Sequence, residues 1–433
     1  MTASRGIVLR RVLRPAVVLL AGAVVAALGM QPVAADTQHP AVVSDNPVNH
    51  TPSLVRVDGQ PRPIVDAIAV SGNTVAAGGR FTRVTHGGST YARHNLVLFD
   101  RDDGQLRAQI DVNGRVWAAA SIGEWIYVGG KFTTVGGVDK RAVVRINAQT
   151  GEVDRGFTAA VRGLVNVLVP ASNGRLYVGG SFGKKLVALD PVTGRNTGTF
   201  DLTIADAIPN ARGGVSVIGM AVNPQATRLV ATGNFRTVDG QSRTRLFVAD
   251  LTGARAALDP WYYPRFASRC NSTNPRKIAY LQGVDFDPTG TWFAVVATGQ
   301  VPATRSDIGH TVCDGIGRFN LSDPSRPQWI NYTGGDSVWS VSVTGPAVYA
   351  QGHFTWLNNP NGSRGQDGGG AVRRLGIGAI HPGTGLALSW APNKPAQMGG
   401  HALVATSDGL WVGSDSTRFA GERRHGIAFA PLP

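Results

Sequence analysis

One short pattern recurs seven times along the chain and leaves few folds open to it. An apolar stretch and a small connection lead into a second apolar stretch that ends in Gly-x-Phe or a close variant. The copies are Gly79-Arg80-Phe81, Gly130-Lys131-Phe132, Gly180-Ser181-Phe182, Gly233-Asn234-Phe235, Gly299-Gln300-Val301, Gly352-His353-Phe354 and Gly413-Ser414-Asp415. A third apolar stretch follows each, with an aliphatic residue four positions before a polar terminator: Leu96 and Asp100, Val143 and Asn147, Leu186 and Asp190, Leu246 and Asp250, Ile316 and Asn320, Ile377 and His381. The last copy has Ile427 and Pro431. Alternating Val, Ala, Ile and Tyr, bounded by Gly and Asn or Asp, reads as strand, and nothing of comparable length has a helical period.

A Thr-Gly turn often comes next, as at Thr150-Gly151, Thr193-Gly194, Thr252-Gly253 and Thr384-Gly385, and opens a fourth strand. Units of four antiparallel strands at a spacing of about fifty residues predict an all-β chain folded as a seven-bladed β-propeller. A length of 433 residues would otherwise suggest two or three domains; the repeat predicts one, over residues 53–433. A side chain at the repeated Gly is expected to obstruct neighbouring sheets, and the Phe two residues on to fill the space between them. The last repeat stops after its third strand, at Pro433. Residues 53–58, Ser-Leu-Val-Arg-Val-Asp, are expected to supply the missing strand, closing the ring and hiding an edge that would template aggregation.

The stretches Tyr127-Val-Gly-Gly-Lys-Phe-Thr-Thr-Val-Gly-Gly and Leu176-Tyr-Val-Gly-Gly-Ser-Phe resemble the delta-60 repeat propellers, frequent in secreted bacterial proteins and largely of unknown function. The resemblance extends over nearly the whole mature chain. It implies the fold and brings no catalytic residue with it.

Residues 1–35 read as a signal peptide: Arg5, Arg10, Arg11 and Arg14, an apolar run from Pro15 to Gly29, then Val33 and Ala35 at the −3 and −1 positions of a cleavage site. Arg10-Arg11 leaves both Sec and Tat export open. No later segment is long and apolar enough to cross a membrane, and no Cys near the cleavage site could accept lipid. The expectation is a protein released to the extracellular side, a monomer with no stable membrane anchor, whose residues 36–52 form an N-terminal segment. Cleavage removes four Arg and no acid, so the net charge falls from +14 to +10.

Export makes a disulfide between the two cysteines, Cys270 and Cys313, the expected state. Both fall in loops on one face of one blade. The same face collects the irregular sequence: residues 259–277 with Trp261, Tyr262, Tyr263 and Arg265, the loop from Val301 to Gly315 with Arg305 and His310, and residues 356–376 with Trp356 and Arg373. Indole and phenol faces with guanidinium edges suit a carbohydrate through stacking and hydrogen bonds. The competing reading is that these aromatics roof the space between blades four and five.

A second constellation belongs to the channel mouth, where early positions of the innermost strands carry Asp66, Trp117, Asn166, Gln282, Trp339 and His401. Asp66 and His401 come from blades that are neighbours in a closed ring, so they could act as an acid/base pair; polar residues lining a wet channel would look the same. Seven residues before each third-strand terminator stand Arg93, Lys140, Gly183, Arg243, Cys313, Arg374 and Arg424. Five cations at one blade position would attract an anionic polymer, or would serve structure by bonding to carbonyls.

Motifs for defined chemistry are scarce. Glu124, Glu152 and Glu422 are the only glutamates, no His pair has a metal-binding spacing, and no Gly-x-Ser-x-Gly elbow occurs. No cofactor, metal or nucleic-acid partner is expected. These observations favour a secreted non-catalytic propeller that binds a glycan or another cell-envelope polymer through its loop face. The alternatives are an extracellular hydrolase or lyase at the channel mouth and a protein-interaction platform.

Overall fold

The computed structural model describes residues 37–270, 279–395 and 399–433, together with Met1 and Thr2; the expected signal peptide and its cleavage point lie outside the described residues. Among the described residues, seven antiparallel sheets built from the repeats follow one another in the chain, beside five small outer sheets. Their first three strands are Ile64–Ser71, Thr74–Arg80 and Leu96–Asp100 in the first sheet, and Val116–Ile122, Trp125–Gly130 and Val143–Asn147 in the second. The third has Gly163–Pro170, Leu176–Phe182 and Leu186–Leu189, and the fourth Ser216–Val222, Arg228–Asn234 and Leu246–Asp250. The fifth has Tyr280–Phe286, Trp292–Thr298 and Gly315–Asn320, the sixth Val338–Val343, Val348–Gly352 and Ile377–Ile380, and the seventh Ala402–Thr406, Gly409–Gly413 and Ile427–Pro431. Two 3₁₀ turns, Pro264–Ala267 and Arg305–Asp307, are the only helical elements among the described residues.

Among the described residues, a fourth strand pairs only in the fourth and fifth sheets, as Ala257–Leu258 and Trp329–Tyr332. In the first, second, third and sixth sheets it shrinks to single bridges, such as Phe99 with Leu106 and Ile380 with Ala387. The polar terminators explain the tight turn that leads there. Asp100 Oδ1 accepts the N–H groups of Asp102 and Asp103, Asn147 Oδ1 those of Gln149 and Thr150, and His381 Nδ1 those of Gly383 and Thr384.

The core lies between sheets. Val116, Val128 and Phe132 of the second sheet pack with Ala67, Ala76 and Leu98 of the first. Equivalent clusters join each later sheet to the one before it. A further cluster joins the seventh sheet, through Ala402, Trp411 and Phe429, to Val65, Ile68, Val75 and Phe99 of the first. The repeated Phe81, Phe132, Phe182, Phe235 and Phe354 are all buried in such clusters.

The repeated glycines act differently from the expectation. A Cβ on Gly79 would stand 2.0 Å from the carbonyl oxygen of Ile64, and on Gly130, Gly180, Gly233 and Gly352 it would meet Arg115, Leu164, Ser216 and Ser337 in the same way. The obstruction is therefore within the glycine's own sheet, against its first strand. The preceding Gly78, Gly129 and Gly179 are the ones whose Cβ would strike the next sheet, at Val116, Val165 and Val217.

The strand expected from residues 53–58 also lies elsewhere. Ser53–Leu54 pairs with Arg83–His86, part of an outer hairpin after the first sheet's second strand. Beside the seventh sheet run residues 44–48: Ser44 N–H donates to Pro431 O (2.7 Å) and Val48 N–H to Phe429 O (3.1 Å). The latter bond has the register of Arg107 to Leu98, Asp154 to Arg145, Thr197 to Ala188, Asp259 to Val248 and Leu388 to Ala379 in other sheets. The chain then needs Thr51 to Leu54 to cross to the first sheet, with Thr51 Oγ1 donating to Ile427 O and Leu54 N–H to His425 O.

Candidate functional site

The first strand of a sheet repeatedly breaks its pairing at one place. Register shifts fall between Val65 and Ala67, Val116 and Ala118, Val165 and Val167, Val217 and Gly219, Leu281 and Val284, and Val338 and Ser340. The residues left over are Asp66, Trp117, Asn166, Ile218, Gln282 with Gly283, and Trp339. A bulge aims its extra side chain away from the ladder, and these side chains converge. All of them line one cavity of about 550 Å³, together with His401 at the start of the seventh sheet and Arg115. The six mouth positions singled out from sequence are thus brought together. Sequence reading misses Arg115 and Ile218; Ile218 stands at the corresponding bulge, but Thr232-Gly233 faces it where Gly-Gly pairs face the bulges of the first three sheets.

Asp66 is buried, and both its oxygens are taken by one guanidinium: Arg115 Nε to Oδ2 at 2.7 Å and Nη2 to Oδ1 at 2.8 Å. The guanidinium lies 3.6 Å above the Trp117 ring. His401 sits between two indoles, 5.1 Å from the Trp339 ring and 6.4 Å from that of Trp117. No hydrogen bond joins it to Asp66 among the described residues. Burial lowers the His401 pKa, opposed by the charge of Asp66 and reinforced by that of Arg115, so the ring is neutral at pH 7. Asn166 Nδ2 donates to Val217 O at 2.8 Å. Below this polar mouth the walls turn apolar, with Ile68, Leu168, Met220, Val341 and Leu403. A second cavity of about 430 Å³ shares Ile68, Ala119, Leu168 and Val404 with the first and ends at Thr37, Ser71, Ser121 and Thr406.

The loop aromatics are elsewhere, and two of them are core. Trp261 and Tyr263 are 4% and 3% exposed and pack with Phe266, Phe293 and Phe319 between the fourth and fifth sheets. Asp259 Oδ1 accepts the Trp261 N–H, and the turn at Pro264–Ala267 folds Phe266 beneath. The Trp261 indole N–H donates to Asn320 O and the Tyr263 hydroxyl to His310 O, so neither ring offers a face for stacking a ligand. Tyr262 is half-buried, with Arg243 5.4 Å over its ring. Arg265 pairs with Asp307 at 3.1 Å on the surface, and Arg305 and His310 are exposed. Half-buried Trp356 pairs across a short hairpin with exposed Arg373. None of these eight residues lines the larger cavity. A disulfide joins Cys270 and Cys313 beneath them, and the buried guanidinium of Arg245 holds the same loop through the carbonyls of Phe266 and Ser268.

The periodic cations are engaged with backbone. Arg93 reaches Ala92 O and Arg107 O, Lys140 reaches Arg155 O and Phe157 O, and Arg243 reaches Ser242 O and Asp259 O. Arg374 likewise bonds Arg373 O and Leu388 O. Each ties the edge of its sheet to the segment that passes outside it. Arg424 does the same with Val48 O (3.0 Å), the N-terminal segment standing where a fourth strand stands elsewhere.

A family model described as a domain of unknown function (DUF5122), beta-propeller, matches residues 125–157. That stretch holds the second and third strands of the second sheet and the Gly130-Lys131-Phe132 signature. Among solved structures, the chain resembles Sqt1 of Saccharomyces cerevisiae (12% identity, 89% of this chain and 100% of that one, TM-score 0.48). It also resembles a computationally designed protein, Ika8 (12% identity, 88% and 99%, TM-score 0.44), and the β-propeller domain of Myceliophteria thermophila Cps50 (Swd1) (11% identity, 66% and 79%, TM-score 0.42). No curated protein sequence matches. The fold is all-β and of the β-propeller kind.

Proposed function

We propose that the seven sheets are the blades of one closed propeller of the delta-60 repeat type, that the chain is exported after cleavage near Ala35, and that it is a non-catalytic binding module for a glycan or cell-envelope polymer. The inter-sheet clusters, including the one between the seventh and first sheets, support the ring. The disulfide supports export, since such bonds persist in oxidising compartments; no helix among the described residues is long and apolar enough to cross a membrane.

One observation carries the binding reading: bulged residues of different sheets converge on a cavity that joins two indoles, two carboxamides, an imidazole and a buried ion pair. An apolar wall with a few convergent polar groups is the usual make-up of a ligand site. Indoles stack on the C–H faces of sugar rings, and Asn166 and Gln282 offer both donors and acceptors to hydroxyls. The site is therefore the channel mouth rather than the aromatic loops. Asp66 is committed to Arg115, which favours binding over acid/base chemistry with His401.

Calorimetric titration of the mature protein with peptidoglycan fragments and a panel of oligosaccharides tests this reading. Binding that disappears in Trp339→Ala and persists in Arg305→Ala is expected; absence of binding across the panel, or equal loss in both variants, overturns it.

A further inference from the structure

The first strand of each of the seven sheets pairs on one side only, so unpaired strand edges border the larger cavity. Such an edge ordinarily shows its peptide groups to water. Here side chains of adjacent sheets take several of them. Ser121 Oγ donates to Val70 O at 2.6 Å, Ser71 Oγ to Gly123 O at 2.7 Å and Asn166 Nδ2 to Val217 O at 2.8 Å. Thr232 Oγ1 donates to Gln282 O and Ser340 Oγ to Gly400 O, both at 3.2 Å, while the Val343 N–H donates to Asp285 Oδ2 at 2.8 Å. Each bond crosses from one sheet to the next and leaves one fewer peptide group for water.

The side chains beneath the mouth complete the change. Two residues after each mouth position stand Ile68, Ala119, Leu168, Met220, Val284, Val341 and Leu403, one per sheet, all apolar and all lining the cavity. Their common offset sets them about 7 Å further along their strands. Ile68, Ala119 and Leu168 also line the second cavity, as does Val404, so the spaces of about 550 and 430 Å³ share an apolar waist. Water in that waist finds no side chain to bond.

The far end is polar but already satisfied. Ser71 and Ser121 are spent on the carbonyls above, Thr406 Oγ1 donates to Asp408 Oδ1 at 2.7 Å, and Thr37 Oγ1 donates to Ala405 O at 3.4 Å. Arg101 Nε donates to the other Asp408 oxygen at 3.0 Å. At the rim, Asp66 and Arg115 neutralise one another. The channel therefore asks for no charge in its occupant, and only its mouth suits a sugar.

Resting on the glycan-binding reading above, we propose that the ligand is a glycan carrying a hydrocarbon chain, whose tail passes the waist beside Ala119 into the second cavity while the sugar stays with Asn166, Gln282 and Trp339. Ala119 is the smallest of the seven waist residues and borders both cavities. Withdrawing such a chain from water is favourable in proportion to its length. One ligand then accounts for the polar mouth and for the apolar space beneath it.

The experiment measures, by calorimetry below micellar concentrations, the affinity of the mature protein for methyl, hexyl, octyl and decyl glucosides and for the matching N-acetylglucosaminides, with octanol as the sugar-free control. Affinity is expected to rise about threefold per added methylene, and a geranyl glucoside tighter or weaker than the octyl one tells a prenyl tail from an acyl tail. Ala119→Phe should flatten the rise and Ala119→Leu reduce it, with circular dichroism and melting curves like those of wild type. Affinity independent of chain length, or a rise unchanged in a folded Ala119→Phe, overturns the proposal and leaves glycan binding standing. Octanol binding as tightly as octyl glucoside supports the tail site and overturns the glycan reading, and failure of every compound overturns both.

Discussion

The amide of Val48 donates to the carbonyl of Phe429 across 3.1 Å, and so binds the beginning of the folded chain to its last strand in a register used by the outer segments of other sheets. Arg424 secures the same residue from the other side, its Nε donating to Val48 O at 3.0 Å. Val43 is buried against Tyr349 and Trp390, and its N–H donates to the Tyr349 hydroxyl. Removing residues 37–50 is expected to lower the melting temperature by about 10 °C or more, and Arg424→Ala to cost about 2 kcal/mol. Thermal denaturation followed by circular dichroism measures both; a truncated chain that melts like the full one would show that the segment is ornamental.

The Cys270–Cys313 disulfide spans 43 residues. Loop-closure entropy for that span gives about 4 kcal/mol. The double variant Cys270→Ser/Cys313→Ser should lose most of this in denaturant unfolding, and adding reductant to it should change nothing further.

Trp261 distinguishes core from site. Trp261→Ala is expected to destabilise by about 3–5 kcal/mol, because it empties the space bounded by Phe266, Phe293 and Phe319. Any glycan affinity measured well below the melting temperature should survive. Loss of affinity in a fully folded variant would return the binding site to the loops.

Arg115→Ala leaves Asp66 buried without its partner, which should cost about 3 kcal/mol. In Asp66→Asn/Arg115→Ala the stranded charge is gone, and part of the stability should return. A double-mutant cycle on urea unfolding reads the coupling, and strict additivity of the two single changes would show that the pair is not coupled.

Asp285 and His39 give opposite pH signatures. Burial pushes Asp285 up to about 7, against the N–H groups of Val343 and Phe286, which bond its charged form. Between 3.8 and about 7 the unfolded chain has released this proton and the folded one has not, so stability falls as pH rises through that window. Asp285→Asn should flatten the fall and raise the melting temperature at pH 8. For His39, burial lowers the pKa, with the Thr406 carbonyl and Asp408 opposing. The unfolded chain then takes up the proton first, and stability drops as pH falls below 6.5. His39→Gln should lessen that acid loss; melting curves from pH 4 to 8 show whether either slope is present.

Much of the architecture could be read from residues because each repeat carries its own strand and turn chemistry, from the Gly-x-Phe ends to the Asx turns at Asp100 and Asn147. The outer segment could not. Residues 44–48, Ser-Asp-Asn-Pro-Val, carry one aliphatic side chain and do not read as strand, whereas Ser53–Leu54 opens a more apolar run; only the register of Val48 against Phe429 shows which segment lies beside the seventh sheet. The mouth positions were found by comparing equivalent offsets, yet Ile218 was passed over because an aliphatic residue there looks like ordinary core. Arg115 was missed because its meaning lies in a contact with Asp66, in another sheet. Trp261 and Tyr263 misled for the opposite reason: a run of aromatics in a loop has the same composition whether it waits for a sugar or covers a seam between sheets.

Because Asp66, Trp117, Asn166, Ile218 and Trp339 are supernumerary in their ladders, strand pairing places no demand on what they are. Trp117, Ile218 and Trp339 can be exchanged without touching a ladder bond, whereas Asp66 and Asn166 also reach the next sheet, through Arg115 and the Val217 carbonyl. The mouth is in effect a keypad mounted on an indifferent frame, and chains of this build could acquire new ligands by rewriting a handful of single codons while every sheet stays as it is.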